Sequence, residues 1–502
     1  MDLKVIDLIV FIVYMLAIVI FGVSFSFKKR TSEDYTTGGG RLPTWTIGMS
    51  IFATFVSSIS FLALPGNAYL SNWNGFVFSL SIPLAAVVAV VYFVPLYRKM
   101  QSESAYYYLE KRFGLWARVY ASIFYLLTQL ARMGTILYLL ALPLNVLFGW
   151  SIPLIILVTG FCVIIYATLG GIEAVVWTDA IQGIILIIGA VTCLIIILLG
   201  MPEGPWQVFE IASKSDKFSL GSFDFDFTES TFWLILIYGL FINMQNFGVD
   251  QSYIQRYLSA KTEREAKKST LFGSLLYIPV SLLFFFIGTA LYSYYQAMPE
   301  LLPSNLQGAE NADKIFPYFI VTALPTGITG LLIASIFAAG MSTISTSINS
   351  SATVILSDHY KRYLKKDPSQ KECMRVLIIA SFIMGGLGLA VGLALNGVES
   401  ALDAWWALAS IFSGGILGLF LLGFTSRRAK SPQAAIGVLC GILVISWMSL
   451  SPILFTGSLS KYGSPFHTNL TVVLGTVTIL IVGFVLSFFF RNKKLPVENK
   501  IN

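Results

Sequence analysis

Charged side chains are scarce in this sequence: only 12% of its 502 residues are Asp, Glu, Lys or Arg, whereas 56% are apolar. Soluble globular chains carry about 25% charged residues, so this composition excludes an ordinary soluble protein. The formal net charge of +7 is dispersed over short segments between apolar runs, which argues against a nucleic-acid-binding surface. We therefore expect a polytopic membrane protein that contacts lipid and binds no nucleic acid.

Cysteine and histidine are nearly absent. The four cysteines show no paired spacing, so neither a disulfide framework nor a thiolate metal site is predicted; they are Cys162, Cys193, Cys373 and Cys440. The two histidines, His359 and His467, fall at predicted helix ends or loops. Almost no material is left for a histidine-metal centre or a histidine acid/base site, which disfavours a membrane-embedded enzyme.

Long apolar runs are abundant and predict about 13 transmembrane helices, because each crossing takes about 20 mainly apolar residues. Alternate loops differ strongly in basic residues: one set holds 27 of the 33 Lys and Arg, including the segment from Arg256 to Lys268, and the other holds five. Basic residues stay on the cytoplasmic side of a membrane. We therefore expect an outside N-terminus and a cytoplasmic C-terminus in the cell membrane.

One basic residue, Arg132, remains inside a predicted helix, about 14 residues or about 21 Å from its start near Ala117. An arginine at this depth costs at least about 2.5 kcal/mol, so it needs a partner or a water-filled cavity. It either pairs structurally with a carboxylate or with freed backbone carbonyls, or binds an anionic ligand through its planar fork. No acidic residue in a clearly central position offers itself as a permanent partner, which favours the ligand.

The second predicted span contains a run of hydroxyl residues, Thr54, Ser57, Ser58 and Ser60, ahead of Pro65. Such a segment can unwind, and the hydroxyls and freed carbonyls of an interrupted helix can hold a substrate and an alkali cation near the midplane. Close helix packing through small residues is the alternative.

The ninth predicted span carries a polar stripe on one helical face, formed by Ser342, Ser345, Thr346 and Asn349. Uncharged oxygens suit Na⁺, a hard cation, whereas interhelical hydrogen bonding is the alternative. Asp179, just inside the sixth span, either adds a carboxylate to this set or simply lies at a helix start.

A second polar interruption, between Asn243 and Gly248, enters the membrane in the seventh span from the side opposite to the second span. Spans two to six and seven to eleven then form two sets of five with opposite orientation, the inverted-repeat plan of transporters that alternate access around a central site. The expected units are an extra helix and cytoplasmic loop over 1–44, repeats over 45–200 and 231–426, an extracellular loop over 201–230, and two final helices with a cytoplasmic tail over 427–502.

Four motifs occur in a fixed order along the chain: TSEDYTTGGGRLPTW, GGIEAVVWTDAIQG, QRYLSAKTEREAKKSTL and FAAGMSTISTSINS. Together they resemble the sodium:solute symporter family over nearly the whole chain, and most of all its bacterial sialic acid transporter branch. The resemblance implies an all-helical LeuT-type 5+5 inverted-repeat fold, with one extra helix at the start and two at the end. We also expect the protein to function as a monomer.

The resemblance also implies the site residues. The first sodium site would use backbone oxygens of Ala53, Val56 and Ala339 with the hydroxyls of Ser342 and Thr343, and the second would use Asp179, Ser342, Ser345 and Thr346. The substrate set would comprise Arg132, which matches the carboxylate-binding arginine, with Phe55, Ser57, Ser60, Ser79 and Asn246. Phe55 and Ser79 depart from the family pattern, since a hydroxyl and a longer amide are expected there.

The resemblance therefore implies a Na⁺-coupled symporter, not an enzyme, that imports an N-acetylneuraminate-type sugar by alternating access with two Na⁺ per substrate. Transport of one Na⁺ with a monoanion moves no net charge, so a tenfold Na⁺ gradient supports about tenfold accumulation of the substrate. With two Na⁺, the two concentration gradients and the one net charge moved through the membrane potential give a driving force of about 5 kcal/mol. A symporter for proline, pantothenate or a neutral sugar is the alternative, followed by a gated channel, which a missing ring of pore-lining charge disfavours.

Overall fold

The computed structural model describes residues 5–27, 30–100, 102–308, 311–396, 415–455 and 457–489. Over these ranges the regular structure is helical, apart from one isolated bridge between Leu42 and Ala260. The main helices are α1 Val5–Ser24, α2 Ser32–Thr37, α3 Thr44–Phe55, α4 Ser58–Leu70, α5 Trp73–Met100, α6 Tyr107–Phe113, α7 Leu115–Phe148, α8 Ile152–Leu199, α9 Gln207–Lys214, α10 Phe232–Val249, α11 Gln251–Ser259, α12 Glu263–Ala297, α13 Ala312–Thr322, α14 Ile328–Leu364, α15 Gln370–Ala394, α16 Gly415–Thr425, α17 Ser431–Leu454 and α18 Leu470–Phe489.

Among the described residues, ten helices are long and apolar enough to cross a membrane, and the bent pair α3 and α4 gives an eleventh. Helix α8 has 48 residues, or about 72 Å, which is more than twice the hydrocarbon thickness of a bilayer. It is interrupted at Gly171, whose φ of +63° favours glycine, in agreement with two separate predicted spans. Residues 401–414 of the predicted eleventh span lie outside the described residues, so the count of 13 stays a prediction.

The second predicted span is broken as expected. Helix α3 ends at Phe55, and the segments Thr44–Phe55 and Ser60–Leu70 meet at an angle of 54°. Val56 and Ser57 have extended backbone conformations between the two halves. Pro65 lies inside α4 without ending it, so the interruption coincides with the hydroxyl-rich run.

The predicted interruption between Asn243 and Gly248 is wrong in position. Helix α10 continues through these residues, because the Asn243 amide donates sideways to Ser81 Oγ at 2.9 Å and leaves the helical backbone intact. The break occurs at Asp250, which ends α10 and caps α11 by accepting from the Ser252 amide at 2.7 Å. An N-terminal carboxylate cap of this kind favours a new helix start.

Helix α12 packs against both halves of the broken helix at almost backbone-to-backbone distance. A Cβ atom on Gly273 would lie 2.3 Å from the carbonyl oxygen of Gly48 in α3. A Cβ atom on Gly288 would lie 2.1 Å from the carbonyl oxygen of Pro65 in α4. Glycine at these positions therefore fixes how closely α3 and α4 approach their neighbour.

The C-terminal end of α4 is held by a buried lysine from the segment that links α8 to α10. Lys217 donates from Nζ to the carbonyl oxygens of Tyr69 at 2.7 Å and Ser71 at 2.8 Å. The ammonium also lies 3.9 Å from the centre of the Tyr292 ring. A cation at the C-terminus of a helix is favourable, so this segment restrains one half of the broken helix.

The start of α14 is capped from α1, at the other end of the sequence. Asp7 is buried and accepts from the backbone amides of Gly327 at 2.6 Å and Gly330 at 2.9 Å. The carboxylate satisfies amides that would otherwise have no partner at the helix start. Helix α1 is thereby attached to the helix that carries the polar stripe.

Candidate functional site

The break between α3 and α4 leaves backbone carbonyls without helical partners, and side chains from two other helices occupy two of them. Ser342 in α14 donates from Oγ to the carbonyl oxygen of Ala53 at 3.0 Å. Arg132 in α7 donates from Nη2 to the carbonyl oxygen of Thr54 at 3.2 Å. The last carbonyls of a helix need such partners, so the break is a junction of α3, α7 and α14.

Arg132 also faces the second break. The carboxylate of Asp250 interacts favourably with the Arg132 guanidinium, and both side chains are half-buried. Among the described residues no hydrogen bond or ion pair joins Arg132 to Asp250, so the expectation that Arg132 has no permanent carboxylate partner stays a prediction. The guanidinium therefore contacts the first interrupted helix through the Thr54 carbonyl and interacts electrostatically with the carboxylate at the start of α11.

The residues predicted for the first sodium site are brought together. Ser342 Oγ lies 3.0 Å from the Ala53 oxygen and 3.1 Å from the Ala339 oxygen, and Thr343 Oγ1 lies 3.2 Å from the Ala339 oxygen. The side chains of Ser342 and Thr343 are fully buried. Val56 lies at the break itself, beside Ala53 in the chain. The hydroxyl and carbonyl groups in these contacts are oxygen ligands, which suit a hard monovalent cation.

The residues predicted for the second sodium site also lie close to one another, but an arginine accompanies them. Arg256 Nη2 lies 2.8 Å from Asp179 Oδ2 and 2.6 Å from Thr346 Oγ1, while Ser345 Oγ donates to the Ser342 carbonyl at 3.0 Å. Both Asp179 and Arg256 are fully buried. The prediction that Arg256 belongs to a loop is wrong, because it lies buried on α11.

Sequence reasoning missed Arg256 and Asp250, which lie at the two ends of one short helix. Eight of the nine residues of α11 are buried, although most of them are polar. The signal was present as the Asp-x-Ser pattern of a helix cap at Asp250, directly after an apolar helix. A capped helix that continues an apolar span does not begin a loop.

The remaining predicted substrate residues have different surroundings. Ser57 and Ser60 cap the start of α4 reciprocally, at 3.4 and 3.5 Å. Phe55 packs with three aromatic rings, the closest being Tyr277 at 4.4 Å between ring centres. Ser79 donates to Ser281 Oγ at 2.9 Å, and Asn246 is half-buried on α10. The surroundings of Phe55 are therefore aromatic.

A separate cluster of ion pairs joins α6 and α7 to the C-terminal end of α14. Arg118 Nη2 lies 2.5 Å from Asp358, and Arg118 Nη1 lies 2.7 Å from Glu110. Asp358 also accepts from Ser104 Oγ at 2.7 Å. Arg362 and Lys361 extend the cluster through Glu110 at 2.8 Å and Glu103 at 3.1 Å. These contacts hold one end of α14 against α6 and α7.

The chain is similar to known sodium/sialic acid symporters. The chain is 36% identical to the sodium/sialic acid symporter SiaT of Proteus mirabilis over 487 residues, covering 96% of this chain and 94% of SiaT. It is 34% identical to the sodium/sialic acid symporter NanT of Aliivibrio fischeri, covering 95% of this chain and 92% of NanT. A solved structure of a Na⁺-coupled sialic acid symporter, in a substrate-bound outward-open state with a novel Na⁺ site, matches with a TM-score of 0.87 and 34% identity over 98% of this chain and all of the other.

The fold of that symporter extends over the whole described bundle, which confirms the expected all-helical LeuT-type architecture of a multi-pass membrane protein. The family model for sodium:solute symporters matches residues 35–441. Membership of a transporter family also confirms the expectation that the chain is not an enzyme. With its two broken helices, its buried hydroxyl stripe and this match over most of its length, the chain belongs to the sodium:solute symporter family.

Proposed function

We propose that this protein is a Na⁺-coupled symporter that imports a sialic acid, a carboxylated sugar of the N-acetylneuraminate type, by alternating access. The observation that carries the proposal is the position of Arg132, which donates to the Thr54 carbonyl at the break in α3–α4. A planar guanidinium matches a carboxylate with two parallel hydrogen bonds. The sialic acid symporters at 34–36% identity support the same substrate class.

Substrate binding would begin with the carboxylate at Arg132, which keeps donors free because the contact with Thr54 uses one Nη2 hydrogen. Ser57 and Ser60 would turn their hydroxyls from their long mutual contacts toward the sugar. Phe55 and Tyr277 would cover an apolar face of the ring, while the pairing of Ser79 with Ser281 leaves fewer polar groups for the far end of the substrate.

The first Na⁺ would bind between α3 and α14, at the oxygens of Ala53, Val56, Ala339, Ser342 and Thr343. In this position it would replace the hydrogen bond from Ser342 to Ala53 and fix the break in α3–α4 before substrate arrives. Ordering one side of the site in this way lowers the cost of binding on the other side, which is positive coupling. A second Na⁺ would use Asp179, Ser342, Ser345 and Thr346.

The charges at the site bear on stoichiometry. Arg132 and Arg256 are balanced by Asp179 and Asp250, and a monoanionic substrate with one Na⁺ keeps the sum at zero. A second Na⁺ adds a buried positive charge, which is costly unless another charge moves. The second Na⁺ would add driving force for uptake: about 1.4 kcal/mol from a tenfold Na⁺ concentration gradient, and about 2.3 kcal/mol per 100 mV of membrane potential for the charge moved.

Alternating access requires one closed end, and we propose that the ion-pair cluster at Arg118, Asp358 and Glu110 closes it. We place this end in the cytoplasm, as the distribution of basic residues indicates. The N-terminus would then lie outside and the C-terminus inside the cytoplasmic membrane. Likeness to an outward-open symporter supports the same closed side. The site is built from one chain, so the proposed working unit is a monomer.

A sodium-coupled symporter for a less polar carboxylate is the second candidate. Phe55 favours it, since this ring stands where a hydroxyl is expected and packs against Tyr277. Arg132 would still bind the carboxylate, whereas a neutral sugar would leave the guanidinium without an anionic partner.

The test is uptake of radiolabelled N-acetylneuraminate into proteoliposomes under an inward Na⁺ gradient, with K⁺ replacing Na⁺ as the control. We expect uptake above the passive level only with Na⁺, and competition by other sialic acids. A panel of short carboxylates, proline, pantothenate and glucose is run as competitors. If one of these compounds shows Na⁺-dependent uptake and N-acetylneuraminate does not, the proposed sialic acid substrate is wrong, but the assignment to the sodium:solute symporter family stands.

A further inference from the structure

Arg256 occupies the space between two of the proposed ligands of the second sodium site. Its Nη2 atom lies 2.8 Å from Asp179 Oδ2 and 2.6 Å from Thr346 Oγ1. Hard cations lie roughly 2.0–2.6 Å from the oxygens that bind them, as calcium and magnesium sites illustrate. A Na⁺ that contacted both oxygens would therefore need the volume that the guanidinium nitrogen fills.

The charge balance leads to the same conclusion. Asp179 and Arg256 are both fully buried, and their charges cancel. A Na⁺ added to the intact pair would leave an uncompensated positive charge in a water-poor interior, where a charge without a partner is strongly unfavourable. The pocket therefore holds one cation at a time at Asp179.

One oxygen of the Asp179 carboxylate is nevertheless available to bind a cation. Asp179 Oδ1 is buried and has no hydrogen-bond partner among the described residues, whereas Oδ2 accepts from both Arg256 and Ser50. An arriving Na⁺ can contact Oδ1 first and then take Thr346 as the guanidinium withdraws. Buried carboxylate oxygens are normally satisfied, so this open position is compatible with a ligand.

Arg256 stays close to the pocket after withdrawal, because its own helix holds it. Nη1 donates to the Ser252 carbonyl at 2.6 Å, and Nε donates to Ser50 Oγ at 2.7 Å. Helix α11 carries Arg256 near its end and Asp250 at its N-cap, where the latter interacts with Arg132. A shift of α11 would therefore be felt at both the cation site and the proposed substrate site.

From these contacts we propose that Arg256 is a tethered cation that competes with Na⁺ for Asp179 and Thr346, and that its displacement transmits Na⁺ binding through α11 to Arg132. This rests on the proposed second sodium site and adds to it a competitor within the chain. Na⁺ and arginine alternate at one carboxylate, so binding of the ion loosens α11 from α8 and α14.

The experiment titrates the purified protein with NaCl at constant ionic strength, balanced with KCl and without substrate, and follows intrinsic fluorescence or melting temperature. Arg256→Gln removes the competing guanidinium, and we expect the half-saturating Na⁺ concentration to fall roughly tenfold. This is the change expected if the pocket is free of Arg256 in about one tenth of wild-type molecules and in all molecules of the variant. An unchanged or higher concentration would overturn the proposal. The matched control is Arg112→Gln, which removes an arginine bonded to the carbonyls of Gly423 and Ser426, and leaves the concentration unchanged.

Two further measurements keep the test decisive if Arg256→Gln does not fold. The charge-neutral double variant Asp179→Asn/Arg256→Gln removes both charges together, and we expect it to fold and to show a Na⁺ response with a lower Hill coefficient. In the wild type, hydrogen exchange of the 250–259 segment should become faster with Na⁺ than with K⁺. Slower or equal exchange means that Na⁺ binds without displacing Arg256.

These readouts are separate from the identity of the solute. If N-acetylneuraminate is not transported, the Na⁺ titrations still test Arg256. If wild-type protein shows no difference between Na⁺ and K⁺, the proposed function itself fails.

Discussion

Arg132 donates a hydrogen bond from Nη2 to the carbonyl oxygen of Thr54 at 3.2 Å. The arginine proposed to bind substrate is thus attached to the interrupted helix that would close over that substrate. Occupation of the guanidinium by a carboxylate and the position of the break are therefore linked through a single side chain.

Replacing Arg132 with lysine retains the positive charge but removes the planar fork. We expect affinity for N-acetylneuraminate to fall roughly a hundredfold, since losing a buried charged hydrogen-bond partner costs about 2–5 kcal/mol. Isothermal titration calorimetry of the purified variant in NaCl measures this loss. Arg112→Lys is the control, and undiminished affinity of Arg132→Lys would assign Arg132 to support of the Thr54 carbonyl alone.

The Ser342 hydroxyl bridges the Ala53 and Ala339 carbonyls. Ser342→Ala removes one proposed ligand, and we expect the half-saturating Na⁺ concentration for uptake to rise roughly tenfold or more, since interactions of polar groups with charge contribute about 1.5–3 kcal/mol. Ser335→Ala is the matched control on the same helix, because this hydroxyl contacts the Leu331 and Ile185 carbonyls away from the break. Equal Na⁺ dependence in the two variants would exclude Ser342 as a ligand.

Gly288 allows α12 to approach α4 so closely that a Cβ atom would lie 2.1 Å from the Pro65 carbonyl oxygen. Gly288→Ala should lower the free energy of unfolding by about 1–3 kcal/mol, the usual cost of overpacking, which appears as a lower melting temperature in detergent. Gly386→Ala is the contrasting variant, since no atom lies within 4 Å of the added Cβ. There we expect a small gain from helix propensity, about 0.5–1 kcal/mol. Equal melting temperatures would contradict the close approach.

Lys217 predicts a pH dependence in the segment outside the membrane spans. Burial lowers the pKa of its ammonium from 10.5 to about 8. Between these values the unfolded chain holds a proton that the folded chain has lost, so the stability contribution of Lys217 rises with pH across this window. The melting temperature of the wild type minus that of Lys217→Met should therefore increase as pH is raised from about 8 toward about 10.

The control for that experiment is Lys214→Met, which removes an exposed ammonium from the same segment and reports the effect of net charge alone. A wild-type advantage that decreases with rising pH would mean that the folded protein holds the Lys217 proton more tightly than the unfolded chain does.

The sequence predicted those features that depend on local pattern. The hydroxyl run around Ser57 indicated the break, and the polar stripe at Ser342 indicated a fully buried face of α14. The pairing of Asp179 with Arg256 was not predictable in this way, because 77 residues separate the two in sequence and neither has a local signal for the other. The distribution of basic residues sorts arginines by their position between spans, and it cannot distinguish a loop from a short buried helix.

The second break shows the same limit. Polar residues from Asn243 to Gly248 look locally like an interruption, but Ser81, on another helix, satisfies the Asn243 amide and the helix continues. Whether a polar residue breaks a membrane helix depends on the partners that the fold brings to it.

The Asp7 cap on α14 has a consequence for the order in which the protein is made. The carboxylate is synthesised 320 residues before the Gly327 amide that it accepts from, a delay of roughly 16 to 64 s at about 5–20 residues per second. Until then the charged end of α1 needs water or lipid headgroups, which holds it at the membrane surface. Docking of α1 is thus completed only after α14 has been made, long after α1 itself has been translated.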